Sequence, residues 1–196
     1  AGGRARRLRI LCLHGFGQDA ASFAAQLAPL ADELRRECDL VVPAHSHPWW
    51  RASSLLGPEY RGYDQAAEYL RLLEEASGPF DGVLGYSQGA CLAALLCALQ
   101  ARGGSPLRSP LGLAVLCGGF RPRDAALAGA FHGDALRTPS LHVIGDRDWF
   151  FLRWMGHWLS EHFEDAQVLR HAGGHDLPDD VSQVAQFIRR VSWGDG

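Results

Sequence analysis

At 196 residues the chain is sized for one domain, and 47% hydrophobic with 21% charged residues is the balance of an ordinary folded globular protein, not of a disordered or fibrous one. A formal charge of −3 gives no reason to expect nucleic acid or an anionic membrane as partner, since either would favour a basic face. The chain has no Lys, which removes P-loop and Schiff-base chemistry, and no Asn, which removes N-glycosylation acceptors.

Ala1 to Arg7 reads as a flexible basic arm, residues 8–193 as one domain and 194–196 as a tail; the apolar run after the arm is too short for a signal peptide or a membrane span. Leu8 to Leu13 is a buried strand that ends at His14-Gly15. Ala20 to Glu37 is a helix, N-capped by Asp19, with Phe23, Leu27, Leu30 and Leu34 at helical spacing and Pro29 as a possible bend. Leu40-Val41-Val42 gives a short strand, and Ala44 to Pro58 is an aperiodic loop carrying Trp49-Trp50. A helix over about Gly62 to Ala76 leads into the apolar strand before Ser87, and a block rich in Ala and Leu follows it. Leu111 to Cys117 is the next strand, and Phe120 to Arg137 is loop with a weak helix. The remainder alternates: strand Ser140 to Ile144, helix Phe150 to Phe163, strand Ala166 to His171, helix Pro178 to Val191. The strands read as apolar throughout, the pattern of a parallel sheet covered by helices on both faces. In such a sheet, functional residues gather beyond the carboxyl ends of the strands.

Those ends carry His14-Gly15-Phe16, Ser87, Asp146 and Asp148, and Gly174-His175. Gly85-Tyr86-Ser87-Gln88-Gly89, set between an apolar strand and a helix-forming block, has the form of a nucleophile elbow. A serine hydroxyl is a poor nucleophile near neutral pH and needs a base, itself held in one tautomer by a carboxylate. The order Ser87, Asp148, His175 meets that need, with Asp146 the alternative acid and Asp176 a loop carboxylate or cap. The backbone amides of Phe16 and Gln88 are the candidate oxyanion hole, each such donor being worth about 2.7 to 4 kcal/mol at the transition state. Trp49, Trp50, Phe120, Trp149 and Phe150 could line an apolar acyl site or simply pack the core.

Two other classes are open at this point: a non-catalytic receptor or scaffold on the same fold, and a metal-dependent hydrolase using His45, His47, His171 and His175. The five cysteines, Cys12, Cys38, Cys91, Cys97 and Cys117, are odd in number and irregularly spaced, and read as buried free thiols in a reducing compartment. A cytoplasmic location is therefore expected, provisionally, because a chain that does not begin with Met leaves open a removed leader.

From Leu8 to about Val191 the chain resembles the small serine hydrolases of the FSH type, a branch of the α/β-hydrolases. The resemblance rests on Leu11-Cys-Leu-His-Gly-Phe-Gly-Gln18, on Trp49-Trp50 and Tyr60, on Phe80 to Ala90, on Ser140 to Asp148 and on Gly173-Gly-His175. It implies a doubly wound, mainly parallel sheet of about six strands without a large cap domain. It also implies the nucleophile at Ser87, the acid at Asp148 and the base at His175, hydrolysing small-molecule carboxylic esters or thioesters without metal or cofactor. Trp149-Phe150-Phe151, where the family often has a small or aliphatic residue and a proline, and a short Pro43 to Tyr60 segment are departures. Both border the expected acyl pocket, so the family's substrate preference does not carry over. Oligomeric state is not readable from the sequence.

Overall fold

The structure is a computed structural model that describes residues 6–52, 57–149 and 153–193. Six strands form one parallel sheet: β1 (Leu8–Leu13), β2 (Cys38–Val41), β3 (Gly82–Tyr86), β4 (Ala114–Cys117), β5 (Ser140–Gly145) and β6 (Gln167–His171), in the spatial order β2-β1-β3-β4-β5-β6. The connections are the helices α1 (Ala20–Glu33), α2 (Tyr63–Ser77), α3 (Gln88–Ala101), a short α4 (Ala125–Ala128) continued by a 3-10 turn at Gly129–Phe131, and α5 (Arg153–Ser160); α6 (Ser182–Trp193) follows β6. The chain has the α/β-hydrolase architecture, with no large cap among the described residues.

Successive side chains of a strand point to opposite faces, and the core divides accordingly. Leu11 and Leu13 of β1 pack with Val83, Leu116 and the apolar residues of α2, α3 and α5. Ile10 and Cys12 pack with Leu84, Val115 and Cys117 against Phe23, Leu27 and Leu30 of α1 and Val184 and Ile188 of α6. The sheet is thus covered on both sides. α3 lies deepest, with eleven of its residues buried, which is why it shows no polar face in the sequence.

Three differences from the sequence reading have local causes. α1 stops at Glu33, four residues early, because the chain must turn back into β2; Glu37 and Cys38 donate their N–H groups to the Leu34 carbonyl at 2.9 Å. Pro29 stays inside this helix on its solvent side, where water can satisfy the carbonyl that the ring leaves without an N–H. The apolar pattern holds for the inner strands but fails in β6, where Gln167, Val168 and Arg170 are exposed because an edge strand lacks a neighbour on one side. The last helix begins at Ser182, after Asp180 Oδ1 accepts the Ser182 N–H at 2.9 Å, and not at Pro178. Part of the aperiodic loop, residues 53–56, and the predicted start of α5, residues 150–152, lie outside the described residues.

Candidate active site

Ser87 sits between β3 and α3 with φ 54° and ψ −115°, a left-handed backbone that a non-glycine residue adopts only when its surroundings hold it there. Here the holding is steric and polar. A Cβ on Gly85 would overlap the Gly89 carbonyl, and a Cβ on Gly89 would lie 2.6 Å from the His14 oxygen and closer still to that of Leu13. The Ser87 N–H donates to the Cys117 carbonyl at 2.9 Å, tying the elbow to the end of β4. Gln88 opens α3, so its amide belongs to the positive end of a buried helix.

The Gln88 side chain has a part that the motif did not suggest. Its Oε1 accepts the Trp49 N–H and its Nε2 donates to the Trp50 carbonyl, both at 3.0 Å, while Trp49 Nε1 donates to the His14 carbonyl at 2.9 Å. Trp49 and Trp50 are therefore frame, sealed behind the elbow at 0% and 3% exposure. Of the two readings the sequence leaves open for them, acyl site or core, their burial is that of core residues. Phe120 is also buried in the core, whereas Trp149 stands 87% exposed at the rim, and Phe150 lies outside the described residues. Phe16, beyond the end of β1, turns its side chain to solvent and can serve only through its backbone amide.

The residues expected as base and acid come from the β5–β6 edge of the sheet. Asp148 and His175 lie in the loops after β5 and β6, and these loops are laced together: the Asp146 N–H donates to the His171 carbonyl at 2.8 Å and the Arg147 N–H to that of Gly173 at 2.9 Å. His175 Nδ1 lies 2.7 Å from Asp148 Oδ2, with the carboxylate almost fully buried. An ionised carboxylate can only accept, so Nδ1 is the donor in this pair; in a neutral imidazole that leaves the lone pair on Nε2. The imidazole also lies against Tyr86, with ring centroids 5.3 Å apart, and over Gly118, where a Cβ would come within 2.7 Å of the ring. Gly118 follows Cys117, the residue bonded to Ser87, so the imidazole and the serine border the same two strand ends.

Asp146 and Asp148, two residues apart, face different partners. Asp146 is taken by Arg170 of β6, with Oδ1 2.6 Å from Nη2, and Asp176 is exposed. The four histidines of the metal alternative are not gathered: His45 stacks on Trp49 at 4.4 Å, and among the described residues no three His, Cys, Asp or Glu side chains are arranged to hold a metal. The five cysteines are buried and free, and burial pushes the Cys97 and Cys117 thiols up to about 12, which leaves them without thiolate character near neutral pH.

With that geometry in place, the family described as Serine hydrolase (FSH1) matches residues 5–48 and 42–187, nearly the whole of the folded chain. The chain belongs to the FSH1 serine hydrolases. Esterase OVCA2 of Bos taurus is 35% identical to it over 93% of this chain and 94% of that protein, and Esterase OVCA2 of Homo sapiens is 33% identical over 94% and 95%. Esterase AGAP003155 of Anopheles gambiae is 30% identical over 96% of this chain and 78% of its own length. Among solved structures, Arabidopsis thaliana SOBER1 superposes with a TM-score of 0.69 at 21% identity, covering 95% of this chain and 100% of that one. Zea mays acyl-protein thioesterase 2 gives a TM-score of 0.66 at 19% identity over 95% and 94%. At those identities the likeness concerns the fold. Within the FSH1 family frame, the side chains of Tyr86 and Gln88 were invisible as site components in the sequence, because their partners lie 89 and about 38 residues away.

Proposed function

We propose that this serine hydrolase cleaves carboxylic esters or thioesters of an apolar acyl group through an acyl-enzyme on Ser87. The observation that carries the reading is the 2.7 Å contact of Asp148 with Nδ1 of His175, in an imidazole seated between Tyr86 and Gly118 beside the elbow. The carboxylate fixes the tautomer whose Nε2 can accept the Ser87 proton as its oxygen attacks the acyl carbon. The tetrahedral oxyanion forms at the head of α3, with the backbone amides of Gln88 and Phe16 as its donors. Collapse breaks the bond to the alcohol or thiol, which leaves with the proton that His175 returns. Water, deprotonated by the same imidazole, then releases the acid. The relatives named as esterases support ester cleavage, and the thioester belongs to the reading because a thiol leaves from the same tetrahedral intermediate.

Among the described residues of the expected acyl set, Trp149, beside Asp148, is the aromatic exposed to a bound chain. The test is a panel of acyl esters and thioesters of graded chain length, run on the wild type and on Ser87→Ala. The account expects turnover that varies with acyl length and disappears in the variant; equal turnover by Ser87→Ala would overturn it.

A further inference from the structure

Tyr86, the residue before the nucleophile, makes contacts on four sides. Its hydroxyl donates to the backbone carbonyl of His175 at 2.5 Å, and its ring lies against the His175 imidazole. On another side the ring abuts Gly15, so closely that a Cβ there would come within 2.8 Å of Tyr86 Cδ1. Phe23 of α1 stacks beneath it, with centroids 6.4 Å apart. One side chain thus touches both the loop that carries the Phe16 amide and the residue expected to act as base. It is attached to the backbone at the strained position next to Ser87.

We propose that Tyr86 is a positioning residue: through its hydroxyl it ties the backbone of His175 to the nucleophile strand, and through its ring it spaces that loop from the Gly15-Phe16 loop. The inference rests on the roles given above to Ser87, Asp148 and His175. Asp148 acts on the ring of His175, at Nδ1. Tyr86 acts on the backbone of the same residue, 89 positions away in sequence, so the two contacts address different parts of it. Burial, with Asp176 and Asp148 adding to it, pushes the Tyr86 phenol up to about 12, so the hydroxyl stays a donor throughout the range in which a neutral imidazole works.

Tyr86→Phe deletes the hydroxyl and keeps the ring. Activity is counted per site titrated with a fluorophosphonate, so that molecules that fail to fold drop out of the measurement. The expected result is a fall of about five- to tenfold in kcat, the rate equivalent of one net hydrogen bond, with KM unchanged within about twofold. The rate of fluorophosphonate labelling falls by the same factor, because labelling also needs the base. A purely structural tyrosine would lower the thermal midpoint and the number of titrated sites and leave kcat per site intact; that result would overturn the inference. Ser87→Ala run alongside separates the two levels. If it is inactive while Tyr86→Phe keeps full kcat per site, only the positioning role falls; turnover surviving Ser87→Ala would overturn both.

Discussion

Ser87 and His175 arrive at one rim of the sheet from unlike surroundings. Ser87 leaves a strand buried from Gly82 to Gly85 and enters a helix with eleven buried residues, whereas His175 follows an edge strand exposed at Gln167, Val168 and Arg170. On the nucleophile side the position of the reactive atom is set by close packing of backbone on backbone. On the side of the proposed base, polar contacts take a larger part: Asp148 on Nδ1, Tyr86 on the carbonyl, and the hydrogen bonds between the loops after β5 and β6. Damage to the first region should therefore remove the fold together with the activity, and damage to the second should remove activity from a protein that stays folded.

The largest expected effect lies at Gly89. A Cβ there meets the Leu13 and His14 carbonyls, which belong to the buried end of β1 and cannot retreat, so Gly89→Ala should destabilise by more than about 4 kcal/mol. Loss of the cooperative melting transition is the readout; a stable, active Gly89→Ala protein would break the comparison at its firmest point. On the base side, Asp148→Asn should keep the melting temperature within a few degrees yet lose on the order of 10⁴-fold in kcat, because an amide no longer enforces the tautomer. Asp146→Asn removes only a half-exposed pair with Arg170, worth about 0–1 kcal/mol, and should leave kcat nearly unchanged. Kinetics showing the reverse order would move the acid to Asp146.

A smaller effect sharpens the comparison through pH. His142 lies in the middle of β5, with Nε2 3.1 Å from Ser140 Oγ, and burial pushes its pKa from the ordinary 6.5 down to about 3. Between those values the unfolded chain binds a proton that the folded chain refuses. Its contribution is thus complete above pH 6.5 and is lost as pH falls toward 3, at up to about 1.4 kcal/mol per pH unit. Urea midpoints should drop between pH 7 and pH 5 in the wild type, and the drop should be shallower in His142→Leu. Parallel profiles for the two proteins would assign the acid sensitivity elsewhere.

The same contrast decides what the sequence could tell. The elbow is legible because its demands are local: two glycines, a serine and the change from strand to helix all fall within one short stretch. The sheet is legible because its inner strands are buried on both faces and write this as unbroken apolar runs. β6 misled the reading because an edge strand follows no such rule. Asp146 and Asp148 could not be told apart by local pattern; their difference depends on strand register, which sets Arg170 opposite Ile144 and so beside Asp146. Trp49 and Trp50 could not be assigned to acyl site or core because their partner, the Gln88 side chain, is about 38 residues distant.

The central claim is that Ser87 is the atom made reactive by this arrangement. Inactivation of the wild-type protein with a fluorophosphonate, followed by fragmentation mass spectrometry, tests it most directly. The account predicts one adduct, on Ser87, appearing in step with the loss of esterase activity. An adduct confined to another residue, or esterase activity lost with Ser87 unmodified, would contradict it.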